Sequence, residues 1–536
     1  MKEKYISVKK AANYFGTKTT NIRYLLDYHP DKIHRYDEGG KLVERGKGMK
    51  IYVSLQELEN YYEERKKLAD EDQALNGETN PDLSFRNFSD SERTKHVHGL
   101  HSYMGKFIPQ LANYYLSKYF KRDQVILDPF AGSGTTLIEA NSLSMHSIGI
   151  DIAKFNTIIM GAKLTKYDLN LMEFEVRHIL HKVTQFSNHY WKKDKTNKGL
   201  LSGKEIQHYR QLLIDPANSL DKYFSDSDAS MISNRQRDYN LDRVQNLFRI
   251  LDESVPDIVN YKDPRTKYLE DWLAPRTNIE VNYYQSLISN YTYQDLLRVI
   301  LSSAIRSSRL IKHIDLTRPK EPLKPDETYI CKKHRGRRCK PITQALKWMR
   351  NYSVGKKGAI NRIKEFSKIR TNNEFHIIHG DSTSVNIAER LLQSGTSIVK
   401  DDCIQFIDGV FTSPPYVGII DYHDQHIYAY EIFDLEKNKE KEIGAAQFGS
   451  SKNAQKTYQK LIADVLINTK PFLKEGANVF IVANDRYDLY PQIFKESGYL
   501  LKHRDRRGVY KRADAGGARS NYQETIFQIV PEKKKK

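Results

Sequence analysis

Residues 124–152 constrain the fold more than any other stretch. QVILDPF is a buried-strand run, AGSG a glycine turn, TTLIEANSLS a helical segment and HSIGIDI a second strand. Together they make one strand–turn–helix–strand unit. QVILDPF reads as a buried strand, the kind covered on both faces in a parallel sheet. EFHIIHG, QFIDGVF and ANVFIVAN supply three more such runs further along the chain. The expected fold is therefore α/β, with a doubly wound sheet.

The second strand ends near Ile152 and the third starts near Phe375, far more chain than one crossover helix needs. That stretch reads as mainly helical (LMEFEVRHILHKVTQF, YQDLLRVILSSAIRSSRLI) and ends in a basic section. Residues 331–370 carry 14 Lys+Arg and one acidic residue, Glu365. The expected layout is a first part of the core over 93–157, a helical, basic insertion over 158–372, a second part over 373–531 and a basic tail, 532–536. Residues 1–68 form a separate small unit. Ser7 caps a helix carrying Val8, Ala11, Ala12 and Phe15, Gly16 stops it, and a second helix turns Ile22, Leu25 and Leu26 inward. A two-stranded wing turning at Gly39-Gly40 follows. This pattern resembles the winged helix-turn-helix of excisionase and MerR-type proteins, which implies DNA contact near Lys18 and Arg23. Residues 69–92 are polar and acidic, as a linker is.

Charge narrows the partner. With 86 Lys+Arg against 67 Asp+Glu the chain carries +19, which points to a polyanion and most directly to double-stranded DNA. Three cysteines (Cys331, Cys339, Cys403) make no disulfide framework, and neither an apolar leader nor a long apolar run is present. A cytoplasmic protein with no membrane partner is expected.

The chemistry sits in two places. In Asp128-Pro129-Phe130-Ala131-Gly132-Ser133-Gly134-Thr135-Thr136 a strand turns into a helix, where glycines let the backbone approach a ligand and the helix start offers N–H groups. Asp151 ends the next strand, placed to accept hydrogen bonds from ribose hydroxyls. GSGTT lacks the lysine of a Walker phosphate loop, which excludes that reading. The second place is Thr412-Ser413-Pro414-Pro415-Tyr416, directly after the strand FIDGVF and so at the carboxyl edge of the sheet beside the first.

DPFAGSGTT, GIDI and TSPPY together resemble S-adenosylmethionine-dependent DNA amino-methyltransferases of restriction-modification systems, which methylate cytosine N4 or adenine N6. The segment from His101 to Leu116, HSYMGKFIPQLANYYL, is similar to the family's segment before the glycine motif, and His379-Gly380-Asp381-Ser382 to its acidic turn near the cofactor adenine. The resemblance implies a Rossmann-like methyltransferase sheet and S-adenosylmethionine as cofactor. It implies cofactor contacts at Lys106, Phe107, Asp128, Phe130, Gly132, Gly134, Thr135, Asp151 and Asp381. It also implies a possible restriction endonuclease as partner. The insertion falls before His379-Gly380-Asp381, so site reading is expected from it, from the N-terminal unit, or from both.

The chemistry of Ser-Pro-Pro-Tyr follows without the family. An exocyclic base amine is a poor nucleophile because its lone pair is delocalised into the ring. The Ser413 hydroxyl and Pro414 carbonyl can accept both amine hydrogens and favour a tetrahedral nitrogen. Pro414 and Pro415, lacking N–H groups, keep that carbonyl aimed, and Tyr416 offers a face for an extruded base. No cysteine follows a proline, so cytosine-C5 chemistry is excluded. In the family, serine at position 413 is more typical of cytosine N4 than adenine N6. An RNA amino-methyltransferase and a non-catalytic DNA-binding regulator are the rival readings.

Further DNA contacts are expected from Arg337, Arg338, Lys356, Lys357, Arg362, Lys368, Arg506 and Arg507, all in basic stretches. Cys331, His334 and Cys339 have knuckle-like spacing but lack a nearby fourth ligand and stand among basic residues, so no metal is expected. Asp421, Tyr422, His423 and His426 follow the catalytic motif and are candidates to reach the base or a DNA strand.

Overall fold

The computed structural model describes residues 4–15, 33–43, 50–63, 88–103, 105–190, 256–262, 266–312, 321–324, 327–331, 337–339, 347–399, 404–509 and 522–532, with isolated positions between 19 and 26 and between 80 and 85. Lys18, Arg23, His334 and Cys403 lie outside them. The chain divides into two compact units, Met1–Pro81 with Lys332–Arg337, and the remainder.

In the first unit, strand β1 (Tyr5–Ser7) leads into helix α1 (Val8–Tyr14), and the Ser7 hydroxyl caps it by accepting from the Lys10 N–H. Strand β2 (Tyr52–Ser54) pairs antiparallel with β1. Residues 37–41 close a turn in which the Lys41 N–H donates to Asp37 Oδ1. Ala11, Ala12, Ile22, Leu25, Leu26, Val53 and Leu58 form one buried core. Ile22, Leu25 and Leu26 are thus inward, as their spacing predicts.

The second unit is organised around a seven-stranded sheet. Helix α2 (Pro109–Tyr119), with proline at its first turn, precedes β3 (Val125–Asp128), helix α3 (Thr135–Ser142) and β4 (His146–Asp151). Helices α4 (Lys154–Leu164), α5 (Leu169–Tyr190), α6 (Pro275–Leu287) and α7 (Gln294–Arg306), short strands β5 (Tyr329–Cys331) and β6 (Arg337–Cys339), and α8 (Lys347–Ser367) lie between β4 and β7 (Phe375–His379). Then come β8 (Ile407–Thr412), α9 (Ile427–Phe433), α10 (Lys452–Thr469), β9 (Leu473–Ala483), α11 (Tyr490–Ser497), β10 (Tyr499–Val509) and β11 (Tyr522–Pro531).

The strand order is β10-β11-β9-β8-β3-β4-β7. The β3, β4, β7, β8 and β9 pairings are parallel, whereas β11 runs antiparallel between β9 and β10. Successive residues serve opposite faces. Val125 and Leu127 enter the core with α10 and α11, and Ile126 the core with α2. Val479 and Ile481 against Phe480 and Val482 repeat the division in β9. The central strands β3 and β8 are thus covered on both faces, which is why VILD and GVF read as apolar runs, whereas the edge strand β10 is largely exposed. From β3 the chain winds out to β4 and β7, and from β8 the opposite way to β9. The crevice beyond the carboxyl ends of β3 and β8 is therefore the switch point where ligands bind in open α/β sheets.

Candidate active site

The carboxyl end of β3 delivers Asp128 into a turn that only glycine makes comfortably. Gly132 and Gly134 have φ of +53° and +81°. A Cβ on Gly134 would stand 2.9 Å from Met160 Cγ, and one on Gly132 3.1 Å from the Tyr103 hydroxyl. The turn is fixed from behind. The buried Lys163 Nζ donates to the Ser133 carbonyl at 2.7 Å, and the Ser382 hydroxyl to the Pro129 carbonyl at 2.6 Å. Burial holds the Lys163 ammonium well below its ordinary pKa.

Asp128 ties this turn to the Ser-Pro-Pro-Tyr loop. Its two carboxylate oxygens accept from the Thr136 and Thr412 hydroxyls, each at 2.6 Å, and one also from the Phe130 N–H. Thr412 immediately precedes Ser413, so the join between β3 and β8 sets where Ser-Pro-Pro-Tyr begins. Burial raises the Asp128 pKa to about 6 against these three donors. Asp151 accepts from the N–H groups of Gly132 and Ala153, both at 2.8 Å, and from Asn156 Nδ2 at 3.0 Å. Burial again wins and lifts it to about 7.

In front of the turn lies a cavity of about 800 Å³, its open mouth included. Lys106, Phe107, Asp128, Phe130, Gly132, Thr135, Asp151, Asp381, Ser413 and Pro415 all line it. Gly134, Pro414 and Tyr416 do not. Gly134 caps α3, Pro414 is buried, and Tyr416 is half-buried with its hydroxyl donating to Glu524 Oε1 at 2.9 Å. Lys106 reaches back to the His98 carbonyl at 2.7 Å. Phe107 packs edge-on against Phe411, their centroids 5.2 Å apart. Asp381 Oδ1 accepts from the N–H and hydroxyl of Thr383.

Tyr103, Asn156, Lys441, Glu442 and Ile443, which were not read from the sequence, also line the cavity, as does Tyr422. The Tyr103 ring lies near-parallel to Tyr422 (6.0 Å, 21°) and to His426 (5.8 Å, 19°). Asn156 Nδ2 also donates to the Tyr103 hydroxyl, at 3.2 Å. Glu442, 4% exposed, accepts from the N–H groups of Tyr422 (3.0 Å) and His423 (2.7 Å) and bonds His423 Nδ1. Glu442 sits in the charged run EKNKEKEIG, which carries no sign of burial in the sequence. His423 and His426 are 1% and 3% exposed, so neither is a surface contact. Tyr422 belongs to the cavity instead.

Several basic residues expected to meet DNA are turned elsewhere. Lys356 is fully buried in α8, one turn from Tyr352 and from Ile360 on the apolar stripe. Arg362 Nη1 donates to the carbonyls of Thr94 (2.8 Å) and His96 (3.1 Å), closing the turn before α2. Arg507, 3% exposed, faces Glu524 across the β10–β11 ladder, and its Nε and Nη2 are each 2.8 Å from Glu524 Oε2. Lys356 and Arg507 are buried, against the expectation of a surface contact, whereas Arg362 is half-buried with one guanidinium nitrogen bound to backbone. Arg506 is half-buried, while Arg337, Arg338, Lys357 and Lys368 are exposed.

His96, His98 and Glu139 bring three buried ligand-type atoms within 4.8 Å of one another. Their surroundings are cationic. Lys95 stands 3.4 Å from Glu139, Arg362 binds the His96 carbonyl and Lys106 the His98 carbonyl. His98 Nε2 bonds Glu139 at 2.8 Å, and burial drops the His96 pKa to about 3. Such a shell suits a carboxylate acting as counter-charge rather than a divalent cation.

Residues 6–159 match the DNA methylase family of the N6/N4 type, a span that includes the glycine turn and Asp151. Over 556 aligned residues, covering 99% of this chain and 98% of the relative, the chain is 37% identical to the Type II methyltransferase M.MjaII of Methanocaldococcus jannaschii. A shorter stretch of 86 residues, 16% of this chain and 17% of the relative, is 31% identical to the Type II methyltransferase M.BsoBI of Geobacillus stearothermophilus. The chain belongs to the N6/N4 DNA methylases. The resemblance read from the motifs holds at that level. Among the described residues no helix is long and apolar enough to cross a membrane.

Proposed function

We propose that this protein binds double-stranded DNA, extrudes one base and transfers a methyl group to its exocyclic amine, cytosine N4 being favoured. The observation that carries the reading is that one cavity is lined both by the glycine turn with Asp151 and by Ser413 and Pro415. A nucleoside-bearing cofactor fits this lining. Asp151 and Asp381 are acceptors for hydroxyl and amine hydrogens, the positive-φ turn brings backbone close, and Phe107, Phe130 and Ile443 supply apolar surface. S-adenosylmethionine, when bound, supplies a sulfonium methyl.

The chain's own residues do the rest. Exposed cations such as Lys357, Lys368, Arg337 and Arg338 contribute salt-dependent contacts to phosphate. Tyr416 presents a ring to the extruded base. The Ser413 hydroxyl and Pro414 carbonyl accept the two amine hydrogens and localise the nitrogen lone pair towards the cavity. Residues 1–68 act as a winged helix-turn-helix joined by the 69–92 linker, and 158–372 as a helical, basic region that shares site reading with it. The names of both relatives, each a Type II methyltransferase, support a type II modification role, and a cognate endonuclease is the partner this reading proposes.

The test uses mixed-sequence duplex DNA and labelled S-adenosylmethionine, with digestion to nucleosides and mass spectrometry. N4-methylcytosine is the expected product. N6-methyladenine would keep the mechanism and overturn the choice of base. Label in tRNA but not in DNA would overturn the substrate.

A further inference from the structure

The catalytic tyrosine is not loose in its loop. Its hydroxyl donates to Glu524 Oε1 at 2.9 Å, while the other oxygen of that carboxylate takes two bonds of 2.8 Å from the Arg507 guanidinium. Glu524 and Arg507 are 4% and 3% exposed and sit directly opposite in the antiparallel ladder. Tyr416, by contrast, is only half-buried. The arrangement is therefore a charge-balanced bracket inside a hairpin, reaching across to hold the far end of a ring that is only partly buried.

We infer that Glu524, oriented by Arg507, is a positioning residue that fixes the ring plane of Tyr416 for stacking against the extruded base. The inference rests on the reading of Tyr416 given above. A tyrosine hydroxyl needs no partner for its ring to stack. Burying a carboxylate, in contrast, is costly unless it is paired. The ladder pair Arg507–Glu524 removes that cost and leaves one oxygen for Tyr416, so the ring is held at both ends: by its backbone after two prolines, and by its hydroxyl. A ring so fixed meets the base without first losing rotational freedom. The same geometry explains why Arg507, in a basic stretch, points inward. Its role is exerted through Glu524 and Tyr416, not through phosphate.

The decisive variant is Tyr416→Phe, which removes one oxygen and leaves the stacking face, with Glu524→Gln as the second. Both are assayed by single-turnover methyl transfer to mixed-sequence plasmid DNA, by KM for DNA, by calorimetry with S-adenosylmethionine and by thermal unfolding. Each is expected to lower the transfer rate about tenfold, the order of loss for a misplaced reacting group, with cofactor affinity and the KM for DNA nearly unchanged. The double variant should be no slower than the slower single one, because both changes cut one path. Wild-type transfer in Tyr416→Phe, or losses that multiply in the double variant, would overturn the inference. A fall in unfolding temperature without a fall in rate would also overturn it, assigning the bracket to stability alone. Tyr416→Ala separates the two levels. If it transfers at the wild-type rate, the stacking role of Tyr416 itself is wrong. If it is inactive while Tyr416→Phe is normal, only the bracket fails.

Discussion

The two walls of the cavity are built on opposite principles. The glycine-turn wall is local. Asp128 to Thr136 are consecutive, and Asp151 closes on Gly132 across one βαβ unit. The other part of the lining is assembled from segments far apart in the chain, Tyr103, Tyr422 and residues 441–443, with Glu442 holding the backbone of Tyr422 and His423. A local wall can place polar groups at the expense of their own solvation, whereas an assembled wall must first hold together. Loss of a group should therefore harm binding on one side and the fold on the other.

The largest expected effect is on the assembled wall. Glu442→Ala leaves two buried N–H groups and His423 without their acceptor, and breaking a buried pair of this kind costs roughly 3–5 kcal/mol. Denaturant unfolding should show that loss, with cofactor affinity falling alongside it. A variant as stable as the wild type would mean that the wall does not depend on Glu442.

Asp151→Asn sharpens the contrast. Because burial already lifts the Asp151 pKa to about 7, the fold gains little from its charge near pH 8, and the stability lost in the variant should stay within about 1–3 kcal/mol, from an amide NH2 meeting the Gly132 or Ala153 N–H where an oxygen accepted before. A hydrogen bond between a charged group and a ribose hydroxyl is worth roughly 1.5–3 kcal/mol, so S-adenosylmethionine should bind at least tenfold more weakly by calorimetry. Unchanged affinity would remove Asp151 from the ribose role.

What the sequence made legible follows the same division. That the glycine turn, Asp151, Ser413 and Pro415 share one cavity was readable because they lie in short contiguous motifs beside apolar runs of strand length. Glu442 was not readable, since nothing in a single chain tells a charged run that folds inward from one that stays wet. The basic residues failed in the same way. Lys356 and Lys357 are neighbours in one helix, yet the first is buried and the second exposed. Arg507 could be told from Arg506 only once the ladder placed Glu524 opposite it. The register of β10 on β11 is a long-range property set by packing.

The pH dependence of binding offers a smaller effect. A carboxyl whose folded pKa is raised contributes stability that is full below the ordinary value near 4 and is lost as pH rises through about 7. Cofactor affinity through Asp151 moves the other way, because ribose hydroxyls donate to the ionised form. Between pH 8 and pH 6 affinity should fall by up to roughly tenfold, and Asp151→Asn should abolish that slope. Buried histidines such as His96, held at about 3, weaken the fold on the acid side, so the informative quantity is the difference between variant and wild type. A slope that persists in the variant would assign it to another group.

The smallest effect probes how tightly the assembled wall is specified. Tyr103→Phe removes only the hydroxyl that accepts from Asn156 Nδ2, and Asn156 keeps Asp151 as its other acceptor. The ring still lies between Tyr422 and His426, so stacking is retained. A single neutral hydrogen bond is worth about 0.5–1.5 kcal/mol, and with the donor still satisfied the loss should sit at the low end. Cofactor affinity should change by less than about threefold, with unfolding nearly unaffected. A tenfold loss of affinity would show that the hydroxyl itself contacts the ligand, which would give the assembled wall a direct polar role equal to that of the glycine turn.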